Sequence, residues 1–260
     1  MADREGPAVQ PLAEMSAVEK SFPGVRALDS VRFDLFPGEV HALMGENGAG
    51  KSTLMKILTG VYQPDGGEIR IDGKRVTVPD PQTAQSLGIS IIHQELFLMN
   101  ELTVAQNIFI GREPRKGLGV FVDEDRMIRG AAEIFRRMKV AIDPRTEVGQ
   151  LTVARQQLVE IAKALSYDAR VLIMDEPTSA LAVAEVEAVL RLIRRVSDSG
   201  VSVILITHRL QDLFQVCDRI MVMYEGHNAG ERAIQDTNLE DLVRLIVAEK
   251  MEAMGAVHEH

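Results

Sequence analysis

The sequence predicts an α/β fold with a parallel core sheet, an N-terminal antiparallel β subdomain and an inserted α-helical subdomain. Three observations carry this reading. An apolar strand, an amphipathic helix and a second apolar strand follow one another between Arg170 and Thr207. Short β-type runs punctuated by turn signals fill the chain up to Gly73. Apolar residues recur at helical spacing between residues 103 and 166.

Taken in order, the runs "VRFDLF", "EVHALM" and "EIRI" read as strands separated by Pro37-Gly38, Pro64 to Gly67 and Asp72-Gly73, with one helical run after Lys51. A further apolar run spans Ile89 to Ile92. The stretches "DRMIRGAAEIFRRMKV" and "ARQQLVEIAKALS" then have a spacing near 3.6 and make the middle of the chain helical. Next come "RVLIMD", the helix-like "AVAEVEAVLRLIRRVSDSG" and "VSVILIT", a βαβ order that implies a parallel sheet buried on both faces. A hairpin turning at Glu225-Gly226 and a last helix near 237 to 249 close the fold. The expected organisation is one unit over 1–260: a core from 12–93 and 165–250, a helical subdomain from 94–164, and a tail from 251.

Composition bounds the function. The 260 residues are 46% hydrophobic and 26% charged, which excludes global disorder and supplies a real core. A formal net charge of −9 argues against a surface built to collect nucleic-acid phosphates. Cys217 is the only cysteine, so no internal disulfide forms, and a reducing compartment is expected. The opening "MADREGPAVQ" lacks a signal-peptide pattern, and runs such as "VSVILI" are too short to span a bilayer, so the chain is expected to be soluble on its own. The closing His258 to His260 read as a solvated tail.

The sharpest chemical signal is "MGENGAGKSTL", residues 44 to 54. Gly45, Glu46, Asn47, Gly48, Ala49, Gly50, Lys51 and Ser52 fit G-x-x-x-x-G-K-[ST], followed by Thr53, and they lie between a predicted strand and a predicted helix. Glycines let successive backbone N–H groups turn inward on phosphates, and the helix N-terminus adds partial positive charge. Lys51 would neutralise terminal phosphate oxygens and the Ser52 hydroxyl would ligate Mg²⁺. A P-loop NTPase fold binding a nucleoside triphosphate with Mg²⁺ follows. Asp175 and Glu176 end the run "VLIM" at the carboxyl end of a buried strand, where α/β sheets bind ligands. Asp175 suits the metal's water shell and Glu176 suits a general base for the attacking water.

With these motifs in place, residues 12 to 250 resemble the nucleotide-binding subunits of ABC transporters. The resemblance implies that the nucleotide is ATP, that Phe22 stacks on adenine, and that Gln94 in "IIHQE" reaches the metal and attacking water on a loop that touches a membrane partner. It implies that "LTVARQQLVEIAKAL" is the signature segment, with Thr152 reaching a γ-phosphate, and that His208 in "ITHRL" contacts the γ-phosphate of its own site. The stretch from His93 to Pro114 is similar to the ATPases of bacterial monosaccharide importers, of fructose or ribose type, and the single-domain fructose-import form is the nearest in kind. Such a subunit is expected to work as a homodimer or heterodimer on the cytoplasmic face of the inner membrane. Separate membrane permease subunits, and indirectly a periplasmic sugar-binding protein, are its expected partners, with no nucleic acid.

Two departures from the family pattern stand out. Leu151-Thr152-Val153-Ala154-Arg155 replaces Leu-Ser-Gly-Gly-Gln, keeping a hydroxyl but losing both glycines and adding a cation. Ala182 stands where the family has an aspartate in the next loop. Slow or asymmetric hydrolysis is therefore expected, and a weakly hydrolysing regulatory subunit stays open as an alternative. A soluble ABC ATPase acting on DNA or ribosomes is disfavoured by the acidic balance and the single half.

Overall fold

The structure is a computed structural model and describes residues 10–117 and 119–245. In chain order its elements are β1 (Ala13–Phe22), β2 (Val25–Leu35), β3 (Val40–Met44), α1 (Lys51–Leu58), β4 (Gly66–Ile71), β5 (Lys74–Val76), α2 (Pro81–Ser86), β6 (Ile89–Ile92) and α3 (Val104–Phe109). Then follow β7 (Arg115–Lys116), β8 (Phe121–Val122), α4 (Glu124–Met138), α5 (Val153–Leu165), β9 (Val171–Asp175) and α6 (Val183–Asp198). The series ends with β10 (Ser202–Ile206), α7 (Leu210–Val216), β11 (Arg219–Tyr224) and β12 (His227–Ala233), after which residues 239–245 are helical. The rest of the expected last helix, up to 249, lies outside the described residues, as do the His258 to His260 tail and the first nine positions.

A six-stranded sheet runs in the order β12-β11-β3-β10-β9-β6, and every pair in it except the β11–β12 hairpin is parallel. Its strands are nearly continuous apolar runs because both faces are covered. Side chains alternate between two cores. Val40, Ala42, Met44, Leu172, Met174, Val203 and Leu205 point to the face packed by α4, α5, α6 and α7. Leu43, Ile173, Ile204 and Ile206 point the other way, onto α1 and the antiparallel sheet β2-β1-β4-β5.

The βαβ unit β9–α6–β10 forms as its pattern implies, with Val203 level with Leu172 and Ile206 level with Asp175. Helices α3, α4 and α5 pack together in the middle of the chain, and Met127, Ala131, Phe135 and Met138 form the buried stripe of α4. Two elements depart from the sequence expectation. Helix α2 forms in a segment without helical periodicity because Asp80 caps it, accepting the Thr83 N–H at 2.7 Å, and Pro81 presets its first turn. The short hairpin β7–β8 interrupts the helical block.

The two sheets are stitched by Asn228 on β12. Its Oδ1 accepts the Arg32 N–H and its Nδ2 donates to the Arg32 carbonyl, each at 2.8 Å. Beneath this seam, Arg219 on β11 pairs with Asp34, Glu39 and Glu231. Burial pushes the Glu39 carboxyl up to about 7 against the pull of the Phe36 N–H and Arg219. Burial and the nearby Arg219 charge hold His41 down at about 4. Cys217 is buried as well, and its thiol is pushed upward by desolvation.

These two groups act oppositely on stability. The raised Glu39 value costs stability as pH climbs from 4.5 to about 7, because the unfolded carboxyl ionises first. The lowered His41 value costs stability as pH drops from 6.5 to about 4, because the unfolded imidazole gains its proton first. The two slopes oppose each other over their shared window. Glu39→Gln removes the falling one, so thermal melts of this variant should show stability rising with pH relative to the parent chain between those limits.

Candidate functional site

The parallel register places the sequence-marked residues along one sheet edge. Leu43 is level with Ile206, Ile206 with Asp175, and Ile92 with Met174. Gly45, His208, Glu176 and Gln94 therefore leave their strands at similar heights, side by side at the carboxyl end of the sheet, where such folds bind ligands.

Between β3 and α1 the glycine-rich loop lines a cavity of about 340 Å³, shared with Val25, Arg26, Ala27 and Glu225 and formed on the loop side by Asn47 to Thr53. Two glycines serve it differently. A Cβ on Gly45 would meet the Met223 carbonyl at 2.4 Å, so this position is needed for close backbone packing on β11. A Cβ on Gly48 would meet nothing within 4 Å, but its φ of +87° disfavours any L side chain. The open space beside Gly48 is where an anion can approach the backbone. Lys51 Nζ donates to the carbonyls of Gly45 and Glu46, at 2.7 and 2.9 Å, which holds the ammonium over the loop. Burial lowers its proton affinity, opposed by the charges of Glu176 and then Asp175.

Asp175 closes β9, half-buried. Its carboxyl is raised by burial first and by the neighbouring Glu176 second. A cation there would relieve both effects. Ser52 is exposed in the first turn of α1, on the same side as the loop. Among the described residues no three His, Cys, Asp or Glu side chains converge as a metal cage. The donor set of Ser52, Asp175 and Gln94 suits Mg²⁺ held by one carboxylate and a hydroxyl together with substrate phosphates, so the residues fit a magnesium nucleotide.

Glu176 sits in the left-handed region at φ 47°, a strained conformation for a glutamate. Its surroundings fix it there. Its N–H donates to the Ile206 carbonyl at 2.9 Å, and its own carbonyl accepts the Ser179 N–H and hydroxyl at 3.1 and 3.0 Å. The imidazole of His208, just past β10, lies with Nδ1 2.9 Å from Glu176 Oε1. Downstream, the buried Thr178 hydroxyl donates to Asp212 Oδ2 at 2.9 Å, tying this turn to α7.

The remaining expected residues are not part of the lining of the loop's cavity. Phe22 ends β1, edge-on to Tyr62 with ring centroids 5.2 Å apart, and pairs with Val25, which lines the cavity. Gln94 is exposed beyond β6. Thr152 caps α5 by accepting the Arg155 N–H at 3.4 Å and is exposed, with Val153 beside it 45% exposed. Ala182 starts α6 without a side-chain cap, and Glu185 accepts its N–H at 3.1 Å.

The sequence marks the β11–β12 turn only as a hairpin. Glu225 in fact lines the cavity, and Gly226 donates to the Ala49 carbonyl at 3.1 Å and accepts the Asp29 N–H at 2.9 Å. No motif spacing marks it, although the Glu225-Gly226 dipeptide marks the turn.

The sequence profile of the ABC transporter family matches residues 28–179. The chain belongs to the ABC transporter family. Among relatives, a protein of Burkholderia cenocepacia (strain HI2424) named for ribose/galactose/methyl galactoside import as an ATP-binding protein is 58% identical over 94% of this chain and 48% of its own length. A ribose import ATP-binding protein of Rubrobacter xylanophilus is 50% identical over 94% of this chain and 48% of its own. This ABC chain thus spans about half the length of the curated relatives it matches. The fold matches solved ATP-binding cassettes of ABC transporters. One is the ADP conformation of MJ1267, with a TM-score of 0.80 at 25% identity, covering 93% of this chain and 96% of that one. Another is a nucleotide-free cassette, with a TM-score of 0.78 at 24% identity, covering 92% and 96%.

Gly48→Ala is expected to cost about 1 kcal/mol of stability from its backbone conformation, while nucleotide affinity, read by titration calorimetry, falls at least about tenfold because the methyl enters the phosphate approach.

Proposed function

We propose that this chain is the ATP-hydrolysing subunit of an ABC importer for a monosaccharide of ribose, galactose or fructose type. One observation supports the reading above the rest: a single sheet edge carries the Lys51 loop, Asp175, the strained Glu176 paired with His208, and Gln94. The names of the relatives supply the solute class. In this reading the loop's amides and Lys51 hold the polyphosphate, and Ser52, Asp175 and Gln94 hold Mg²⁺, which neutralises phosphate charge when bound. Glu176 accepts a proton from the attacking water. His208 orients the Glu176 carboxylate and faces the terminal phosphate, and Phe22 carries the base.

Thr152 is exposed at the head of α5 and does not line the cavity of its own chain. It is free to complete the site of a second nucleotide-binding subunit in a homodimer or heterodimer. Among the described residues no helix is long and apolar enough to cross a membrane. In this reading separate permease subunits span the bilayer, a sugar-binding protein on the far side delivers solute, and this chain sits peripherally on the cytoplasmic face.

Glu176→Gln should lower phosphate release by at least about a hundredfold and leave ATP bound and unhydrolysed, whereas Lys51→Ala should lose nucleotide binding itself. Wild-type turnover in Glu176→Gln would overturn the assignment of the base.

Val153, Ala154, Arg155 and Ala182 favour a second reading, a regulatory subunit that hydrolyses slowly. Replacing Val153 and Ala154 together by glycine should then raise turnover, measured as phosphate release at saturating Mg-ATP. An unchanged rate would count against that reading.

A further inference from the structure

The segment between β6 and α3 carries Gln94, yet its chain is exposed, with Phe97 at 62% and Met99 at 52%. A few polar contacts hold it. At its far end Asn107 of α3 accepts the Met99 N–H at 2.8 Å and donates to the Met99 carbonyl at 2.9 Å. In the middle, both backbone groups of Phe97 are taken by one face of α5. The Phe97 N–H donates to Glu160 Oε1 at 2.9 Å, and Lys163 Nζ donates to the Phe97 carbonyl at 3.4 Å. The His93 ring, next to Gln94, closes edge-on over the Phe97 ring with centroids 5.5 Å apart. Glu160 and Lys163 are one turn apart, so they face the same way. Two charged side chains turned to water on a helix face would have no use for a neighbour's peptide groups, and this pair grips one on each side of Phe97.

We propose that Glu160 and Lys163 are positioning residues for Gln94: by clamping the Phe97 peptide groups they make the placement of Gln94 depend on the orientation of α5, the helix that begins at Thr152. This rests on the ATPase reading above. The device joins the residue expected at the metal to the helix whose head reaches a second subunit, so a turn of α5 carries the Gln94 segment with it. The clamp works through an accepting oxygen and not through charge. Burial already raises the Glu160 carboxyl, opposed by Lys163, the Phe97 N–H and His93, and an amide in its place still accepts the Phe97 N–H.

The test uses the full chain and its variants Glu160→Ala, Glu160→Gln, Lys163→Met and Gln94→Ala, each first checked by thermal melt. Glu160→Ala should lower kcat by about tenfold or more with KM for ATP unchanged, and Glu160→Gln should restore most of that loss. Glu160→Ala combined with Gln94→Ala should be no slower than Gln94→Ala alone, because both remove one function. Hydrogen exchange of residues 93–99, which needs no turnover, should quicken in Glu160→Ala and not in Glu160→Gln. If Glu160→Ala does not fold, Lys163→Met carries the same expectations for exchange and for the combination with Gln94→Ala. Additive losses, unaltered exchange or a Glu160→Gln variant as slow as Glu160→Ala would overturn the clamp. An inactive parent chain would instead overturn the ATPase reading on which it rests.

Discussion

Everything at the site depends on the register of four parallel strands. With both faces of the sheet buried, each residue on β3, β10, β9 and β6 is committed to one core or the other, and a slip by one position would turn every apolar side chain to the wrong side. The register is therefore held by the whole hydrophobic interior. The chemistry at the edge inherits that precision without needing contacts of its own to set heights. Gly45, His208, Glu176 and Gln94 stand together because Leu43, Ile206, Met174 and Ile92 are locked behind them.

What the edge adds is electrostatic. Lys51 is made less basic and Asp175 less acidic by burial, and the two carboxyl groups at 175 and 176 repel each other. A site in which like charges are pressed together and partly desolvated has a standing preference for a cation and for a polyanion that brings one. The strained backbone at Glu176 belongs to the same arrangement. It turns the chain directly after Asp175 and leaves the Glu176 carboxylate against His208.

Much of this was legible in the sequence, for physical reasons that differ by element. The Lys51 loop could be read because its backbone conformation demands glycine at set places, so conformation is written into residue type. The parallel strands could be read because burial on both faces forces unbroken apolar runs. Helix α2 escaped because it is held by one cap and one proline over a single turn and a half, too short for a period to emerge. The β7–β8 hairpin escaped because its strands are two residues each. Glu160, Lys163 and Glu225 escaped for another reason: a charged residue on a helix face or in a turn looks the same in sequence whether it meets water or a neighbour's peptide group.

Asn228 has a wider bearing on how such a molecule moves. By holding Arg32 through both of its peptide groups it welds the wall that carries Phe22 and Val25 to the floor that carries Lys51. That half of the molecule is a cup whose wall and floor are joined by backbone-directed bonds. On the opposite rim the stretch beyond β6 crosses to α5 on two exposed side-chain bonds, the kind of attachment that opens at lower cost than a buried seam.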